Sequence, residues 1–442
     1  MSQELRTYQA EDVQTILSLG MVAGIFSEQR TGKTPTIINV LKQCGTALVI
    51  VPNSLLSVWK GEFKEWAPKL STSILTTKKA VPQTQVVITN YDKFNRLDPE
   101  FIRLLDSTHF DCIVLDEAHR IRNHKSNTSV QIRKLSRHIP RRLAATGTPA
   151  YNTPADLWSI LNFLKPTIYT GYYPWVNKWF EFREQYTPNG IIKVPYRIKP
   201  ALNQAFVDEL STFCIQRKRD EVMSWSGGVE VVDVPVDMSK EQKKYLHSLQ
   251  SVFECTDGQK TIECSAIIDR LVRYRQICNG PEVLGLSGKS PKFEWIKNYL
   301  KEYPDNKVLI FSNSKITLNI LHRMLDNSDI ITGDIKPVRR KEIVYQFQSN
   351  NKLRVLLLQT QACKEGLTLD RADDVIFVDV YPPLADYLQA KDRVVATDPS
   401  RVKPHTVFRL FVSGTFDERL VKLIDANMDT TSIINNFKEW RT

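Results

Sequence analysis

The stretch that most narrows what this chain can become is Ser27-Glu28-Gln29-Arg30-Thr31-Gly32-Lys33-Thr34, set between the apolar run 21–26 and a helical pattern over 35–44. A strand that turns into a helix at Gly-Lys-Thr points the backbone N–H groups of the turn and the positive end of the helix dipole at one spot, which makes a cradle for phosphate. In such a turn Lys33 reaches the β- and γ-phosphates, and the Thr34 hydroxyl ligates Mg2+. Ser27 stands where the full phosphate-loop pattern has its first glycine, so the octapeptide alone leaves open a chance Gly-Lys-Thr at a helix start.

A second stretch removes most of that ambiguity. Cys112-Ile113-Val114-Leu115 leads into Asp116-Glu117-Ala118-His119. An apolar strand ending in two carboxylates is what a nucleotide hydrolase needs beside its phosphate loop: Asp116 to hold Mg2+, and Glu117 to orient and deprotonate the attacking water. The pair of stretches implies ATP hydrolysis, with ATP and Mg2+ as cofactors and Lys33 and Glu117 in catalytic roles.

At 442 residues the chain has the length of roughly two to four domains. Its 42% hydrophobic and 25% charged residues are those of a globular protein in water. No run approaches the ~18 apolar residues of a membrane span, and the first residues carry no apolar signal core, so neither a membrane partner nor secretion is expected. Sixty basic against 49 acidic residues leave a net charge of +11, which suits a polyanion such as nucleic acid. The seven cysteines are scattered without a C-x-x-C pair, as in a reducing, cytoplasmic compartment. Cys255, Cys264, Cys278 and His247 match no usual zinc-ligand spacing.

Short continuous apolar runs at 47–51, 86–89, 112–115 and 143–145 alternate with helical patterns at 54–66, 126–137 and 154–164, the last with Asn152 or Thr153 as its cap. Runs without polar alternation predict strands covered on both faces, hence a parallel sheet. A second series follows at 308–311, 355–358, 375–378 and 407–412, with helices predicted over 315–325 and 339–347. The fold class expected is therefore α/β: two parallel-sheet lobes, 1–165 and 290–442, with a mainly helical insertion over 166–289, where the strand rhythm disappears. That insertion holds nine aromatic residues between 169 and 196, interleaved with Lys178, Arg183, Lys193, Arg197 and Lys199. They can be a helical core, the favoured reading, or a stacking surface for bases. The tail from 416 to 442 reads as an amphipathic helix.

With both lobes laid out, the chain resembles a Swi/Snf-type member of helicase superfamily two in its DEAH-box variant. The likeness runs through Gln9, Gly32-Lys33-Thr34, Ser57-Val58-Trp59, Asp116 to His119, and Thr146-Gly147-Thr148-Pro149 followed by Leu157-Trp158-Ser159-Ile160-Leu161-Asn162-Phe163-Leu164. It continues through Lys307-Val308-Leu309-Ile310-Phe311-Ser312 and Gln389-Ala390-Lys391-Asp392-Arg393. The resemblance implies RecA-like lobes with ATP between them. Its binding residues would be Gln9, which senses the adenine, and the loop Ser27, Glu28, Gln29, Arg30, Thr31, Gly32, Lys33 and Thr34. Arg393 would be the arginine finger, with Arg401 open as a replacement because Ala396 stands where the family has a second arginine. A structural ion pair of Arg393 with Asp379 or Asp392 is the other reading. Thr146, Gly147, Thr148, Gly366 and Gln389 would couple hydrolysis to movement, and Asn90, Lys93, Arg122 and Lys364 are candidate contacts to DNA.

The function implied is an ATP-driven DNA translocase or helicase acting on branched DNA (forks and four-way junctions) in replication, recombination or repair, as in compact phage and bacterial members. It would work in the cytoplasm of such cells, with a monomer sufficient. Alternatives are a remodeller that displaces proteins from duplex DNA, an RNA-directed DEAH helicase, and a binding scaffold with a dead ATPase. The last is disfavoured by the presence of Lys33, Thr34, Asp116, Glu117 and Arg393.

Overall fold

A computed structural model describes residues 4–76, 81–95, 99–150, 153–187, 190–222, 229–251, 254–263, 267–349, 352–363, 369, 371–379, 387, 405–422 and 424–425. The described residues through Val222 form one compact unit, and those from Val229 onward form another.

The first unit is built on nine strands: β1 (Val22–Ile25), β2 (Ala47–Val51), β3 (Thr72–Ile74), β4 (Val86–Asn90), β5 (Cys112–Asp116), β6 (Arg141–Ala145), β7 (Phe180–Thr187), β8 (Gly190–Ile198) and β9 (Cys214–Ile215). Seven of them make one parallel sheet in the order β3-β4-β2-β5-β6-β1-β9. Successive side chains of a strand point to opposite faces, and here both faces are covered. Ala47, Val49 and Val51 join one core with Ile37, Trp59 and Phe63. Leu48 and Ile50 enter the other, with Phe94, Phe101 and Ile132. That is why the strands read as unbroken apolar runs. β1 and β2 follow one another in the chain but are separated in the sheet by β6 and β5, so the loops at the carboxyl ends of β1, β5 and β6 stand side by side at that crossover, the usual place for a ligand in such a sheet. Helix starts follow local chemistry. The Ser126 side chain accepts from the Ser129 N–H, and Thr153 forms a capping box with Asp156.

The second unit carries β10 (Val229–Val236), the small antiparallel pair β11 (Glu254–Thr256) and β12 (Thr261–Glu263), then β13 (Val308–Ser312), β14 (Ser328–Ile331), β15 (Val355–Gln359), β16 (Asp374–Phe377) and β17 (His405–Val412). Its sheet, in the order β10-β17-β16-β13-β15-β14, is parallel throughout. Val308, Ile310, Leu357 and Ile376 pack on Phe293, Ile296, Leu318 and Leu321. The two parallel-sheet lobes of the α/β expectation are therefore both present.

The stretch expected as a helical insertion over 166–289 is organised differently. It divides between the units, and it contains strands. Trp175, Trp179, Phe180, Phe206 and Phe213 belong to the core of the first unit, and β9 adds a strand to its sheet. β10 instead pairs along its whole length with β17, Val229 opposite His405 through Val236 opposite Val412. β7 and β8 form an antiparallel ribbon. Exposed ribbons and sheet-edge strands alternate polar and apolar residues irregularly, so no continuous apolar run marks them. Of the nine aromatics, Tyr169, Trp175, Trp179 and Phe180 are core residues, whereas Tyr173 and Phe182 are exposed.

Candidate active site

The phosphate loop follows β1 and ends at Gly32, which has φ +77° and caps the helix Lys33–Leu41. Only glycine adopts that left-handed conformation without penalty, and space forbids a side chain as well. A Cβ at position 32 would lie 2.0 Å from Gln9 Nε2. Arg30 is also left-handed, at φ +66°. Such strain in a non-glycine residue persists where the surroundings over-determine it, which is common in ligand-binding loops. The Lys33 ammonium donates to the carbonyls of Ser27 (2.9 Å) and Glu28 (2.8 Å), so it lies folded along the inside of the loop.

Two elements brace that loop. On one side Tyr8 OH donates to the Thr31 carbonyl (3.0 Å), and Gln9 Nε2 to the Gly32 carbonyl (3.4 Å). Gln9 Oε1 meanwhile accepts from the Arg6 N–H at 2.9 Å. On the other side runs the basic stretch after β9. The Arg217 N–H donates to Ser27 Oγ (3.0 Å), the Glu28 N–H to the Arg217 carbonyl (3.0 Å), and the Arg219 N–H to Glu28 Oε2 (2.9 Å). The Arg217 guanidinium is itself held by Asp12 at 2.8 Å and Glu11 at 3.0 Å. Sequence reasoning did not place 216–219 here, because the contact bridges about 190 residues and has no local signature.

β5 delivers Asp116 beside this loop. Asp116 is buried; its Oδ2 accepts from Trp59 Nε1 (2.7 Å) and its Oδ1 from the Glu117 N–H (3.0 Å), while its carbonyl accepts from Tyr91 OH (2.6 Å). Glu117 is left-handed, φ +52°, and starts the short 3-10 turn Ala118–Ile121. Its carboxylate lies 3.3 Å from His119 Nδ1. The same His119 nitrogen is 3.1 Å from Thr146 Oγ1, which also accepts from the Thr148 N–H at 3.2 Å. Gly147 backs onto the phosphate loop, where a Cβ would stand 3.1 Å from Gln29 Cγ and 3.4 Å from the Gln29 N. Thr146-Gly147-Thr148 thus touches both halves of the site. Trp59 and Tyr91 were not singled out as site residues. A tryptophan on an apolar helix face gives no sign of the carboxylate its N–H will meet.

The predicted residues of the first unit, from Gln9 to Thr148, are therefore gathered at the carboxyl edge of one sheet. Asn90 is buried and gives its amide to Asn53 Oδ1 at 3.0 Å. Asn152, Lys364, Gly366, Gln389, Asp392, Arg393, Ala396 and Arg401 lie outside the described residues. Asp379, one suggested partner of Arg393, accepts from Asn279 Nδ2 (2.8 Å), the Asn313 N–H (2.9 Å) and Ser312 Oγ.

The electrostatics fit a cation and a polyphosphate. Burial first, and the charge of Glu117 next, push Asp116 from the ordinary 3.8 up to about 6; the Trp59 indole and Lys33 oppose the shift. Two adjacent carboxylates with little solvation are a place where a divalent cation relieves repulsion, and the left-handed Gly32 turn is shaped for phosphate oxygens.

A family model for the SNF2-related domain matches residues 8–283, more than half the chain. The chain belongs to the SNF2-related family. A model for the helicase conserved C-terminal domain matches residues 291–396 of this SNF2-related chain. It is 26% identical to the mouse (Mus musculus) SWI/SNF-related matrix-associated actin-dependent regulator of chromatin subfamily A member 1, over 97% of the chain and 43% of the relative. It is 29% identical to the Saccharomyces cerevisiae ISWI chromatin-remodeling complex ATPase ISW2, over 95% of the chain and 40% of the relative. With the Arabidopsis thaliana ATP-dependent DNA helicase DDM1 it shares 27% identity, over 95% of the chain and 60% of the relative. The SNF2-related chain thus spans about two fifths to three fifths of the length of these relatives. The Sulfolobus solfataricus SWI2/SNF2 ATPase core in complex with dsDNA is similar at 22% identity and a TM-score of 0.46, covering 100% of this chain and 95% of that one.

The shifted carboxyl makes a pH prediction for this SNF2-related site. A carboxylate binds Mg2+ only when ionised, so if Asp116 is the cation ligand, activity is expected above about pH 6 and should be lost as pH falls through that value. The stability term has the opposite sign. A raised folded pKa favours the fold below the ordinary 3.8, and that contribution is lost as pH rises through about 6. In Trp59→Phe the indole donor disappears, and the acid limb of the ATPase pH profile at fixed Mg2+ should move up by roughly half a unit to one unit. An unmoved limb would mean that another group sets it.

Proposed function

We propose that this chain hydrolyses ATP with Mg2+ and couples that hydrolysis to movement along DNA, with forks and four-way junctions as its preferred substrates. One observation carries the ATPase reading: the left-handed Gly32 loop, Asp116 and Glu117 stand together at one sheet edge, with Lys33 within electrostatic reach of Asp116. The names of the relatives, ATP-dependent DNA helicase among them, support a DNA-directed motor, as does the net charge of +11. The branched-DNA preference rests on the resemblance to compact phage and bacterial members, an argument from family rather than from geometry.

In this reading the loop N–H groups and Lys33 bind and orient the phosphates, and Thr34 and Asp116 hold the cation. A bound Mg2+ neutralises charge on the phosphoryl oxygens. Glu117 takes a proton from the attacking water, and His119 and Thr146 hold its carboxylate in place. Thr146-Gly147-Thr148 passes a change at Glu117 to the rest of the unit. Arg393 supplies the finger from the part of the chain that the helicase C-terminal model matches. Contacts to DNA are mainly to phosphate, hence independent of sequence and sensitive to salt.

A second reading, displacement of proteins from duplex DNA, is favoured by the chromatin-remodeling names among the relatives. One experiment separates the two. ATPase activity is measured with linear duplex, fork and four-way junction at equal phosphate, together with junction dismantling and removal of streptavidin from biotinylated duplex. The branched-DNA reading expects junctions to be dismantled and to stimulate turnover several-fold more than duplex. Equal stimulation with streptavidin removal and intact junctions would replace it with the second reading.

A further inference from the structure

The edge of the first sheet opposite the phosphate loop holds a cleft that the proposed function does not use. It has a volume of about 650 Å3 and lies where β1 and β6 begin, against the segment that follows the helix Trp158–Leu164. Val22, the first residue of β1, lines it, whereas the phosphate loop leaves the other end of that strand. The volume is that of an ordinary ligand site, but its place is not, since sheets of this kind bind at the carboxyl ends of their strands.

Its chemistry is one-sided. Arg137, Arg142 and Lys165 line it with Asn162, Thr167 and Thr170, and among the described residues no carboxylate does. Arg142 is held in place by its bonds to the Ser136 carbonyl (2.8 Å) and the Leu164 carbonyl (3.2 Å). Its guanidinium is half-buried, and burial pulls its pKa down with no carboxylate restoring it. Behind it, Arg133 is pulled down by burial and by the charge of Arg137. Lys165 lies over the Phe213 ring at 4.1 Å, and Arg137 stands exposed. Surface cations of a stable fold are ordinarily interspersed with acids. A concave group without them stores repulsion that an anion would relieve.

We propose that this cleft is a second phosphate-binding site and that the phosphates belong to a DNA backbone, a further arm of a branched substrate held away from the ATPase edge. The DNA source rests on the proposed function; the phosphate chemistry does not. Thr167 and Thr170 add exposed hydroxyl donors beside the cations, the mixture with which proteins grip phosphate without reading sequence.

The test uses the full chain carrying Lys33→Ala, so that the phosphate loop does not dominate, with Arg137→Glu, Lys165→Gln or both added. Four-way junction and linear duplex affinities are followed by anisotropy across a salt series, and tripolyphosphate binding by calorimetry. With both substitutions, junction affinity should fall about tenfold, and the slope of log affinity against log salt should shrink by roughly two. In the Lys33→Ala background without them, tripolyphosphate should bind; with them, it should not. Arg137→Lys, which keeps the charge, should restore junction binding. In chains retaining Lys33, duplex-stimulated ATP turnover should be unchanged by the two substitutions. Lost tripolyphosphate binding with an unchanged junction slope would support the phosphate site and overturn its DNA source. Junction affinity, salt slope and tripolyphosphate binding all unchanged would overturn the site. Absence of any DNA-stimulated ATPase would count against the proposed function alone, because the tripolyphosphate measurement does not depend on it.

Discussion

Glu117→Gln should lower DNA-stimulated ATP turnover by about 10^2- to 10^4-fold, the usual contribution of a positioned general base, while nucleotide binding survives. The substitution keeps the shape and the left-handed backbone at φ +52°, but removes the charge. Glu117 is the second cause, after burial, of the raised Asp116 pKa. With that charge gone, Asp116 ionises more readily, so Mg2+-dependent nucleotide binding should persist to lower pH than in the natural chain. Lys33→Ala should also stop turnover, but by weakening nucleotide binding, because it removes the cation that lies along the loop. Rapid-quench turnover and fluorescent-nucleotide titration separate the two variants. Normal turnover in Glu117→Gln would remove Glu117 from the mechanism.

Lys292→Ala is expected to be the most destabilising single change in the second unit. Lys292 is fully buried. Its ammonium donates to Asp417 Oδ2 (2.5 Å), the Val378 carbonyl (2.7 Å) and Asn279 Oδ1 (3.3 Å). Truncation leaves Asp417 as a buried carboxylate that, among the described residues, keeps the Val412 N–H, 3.1 Å away, in place of its cation. Removing one partner of a buried pair costs about 3–5 kcal/mol, which for a unit of this size lowers the unfolding temperature by roughly ten degrees. Replacing both partners, Lys292→Met with Asp417→Leu, should recover much of that loss, since the penalty lies in the orphaned charge rather than in the lost attraction. Differential scanning calorimetry of the single and double variants decides it. If the double variant unfolds as early as the single one, the loss is one of packing.

Much of the site was legible because its signals are local. The Gly32 turn needs a residue tolerant of φ +77°, and Lys33 and Thr34 follow it directly on the helix. Asp116 ends a strand whose five buried residues are contiguous, and Glu117 follows it directly. The supports of the site were not legible. Trp59 meets Asp116 across 57 residues of chain, and Arg217 meets Asp12 across 205. The division of 166–289 was hidden for the same reason, since β9 is assigned by its register with Gly24 and β10 by its register with 405–412.

What the amino-acid order determined by itself is therefore the set of strands buried on both faces, the left-handed turn that leads into Lys33 and the paired carboxylates at the close of β5. Each is imposed by backbone geometry or solvation within a few residues. Tertiary structure alone decided which sheet takes each edge strand, which buried lysine faces Asp417 and where Arg137, Arg142 and Lys165 gather around one cleft. Those outcomes depend on contacts between residues far apart in the chain, whose energies exist only once the backbone has closed around them.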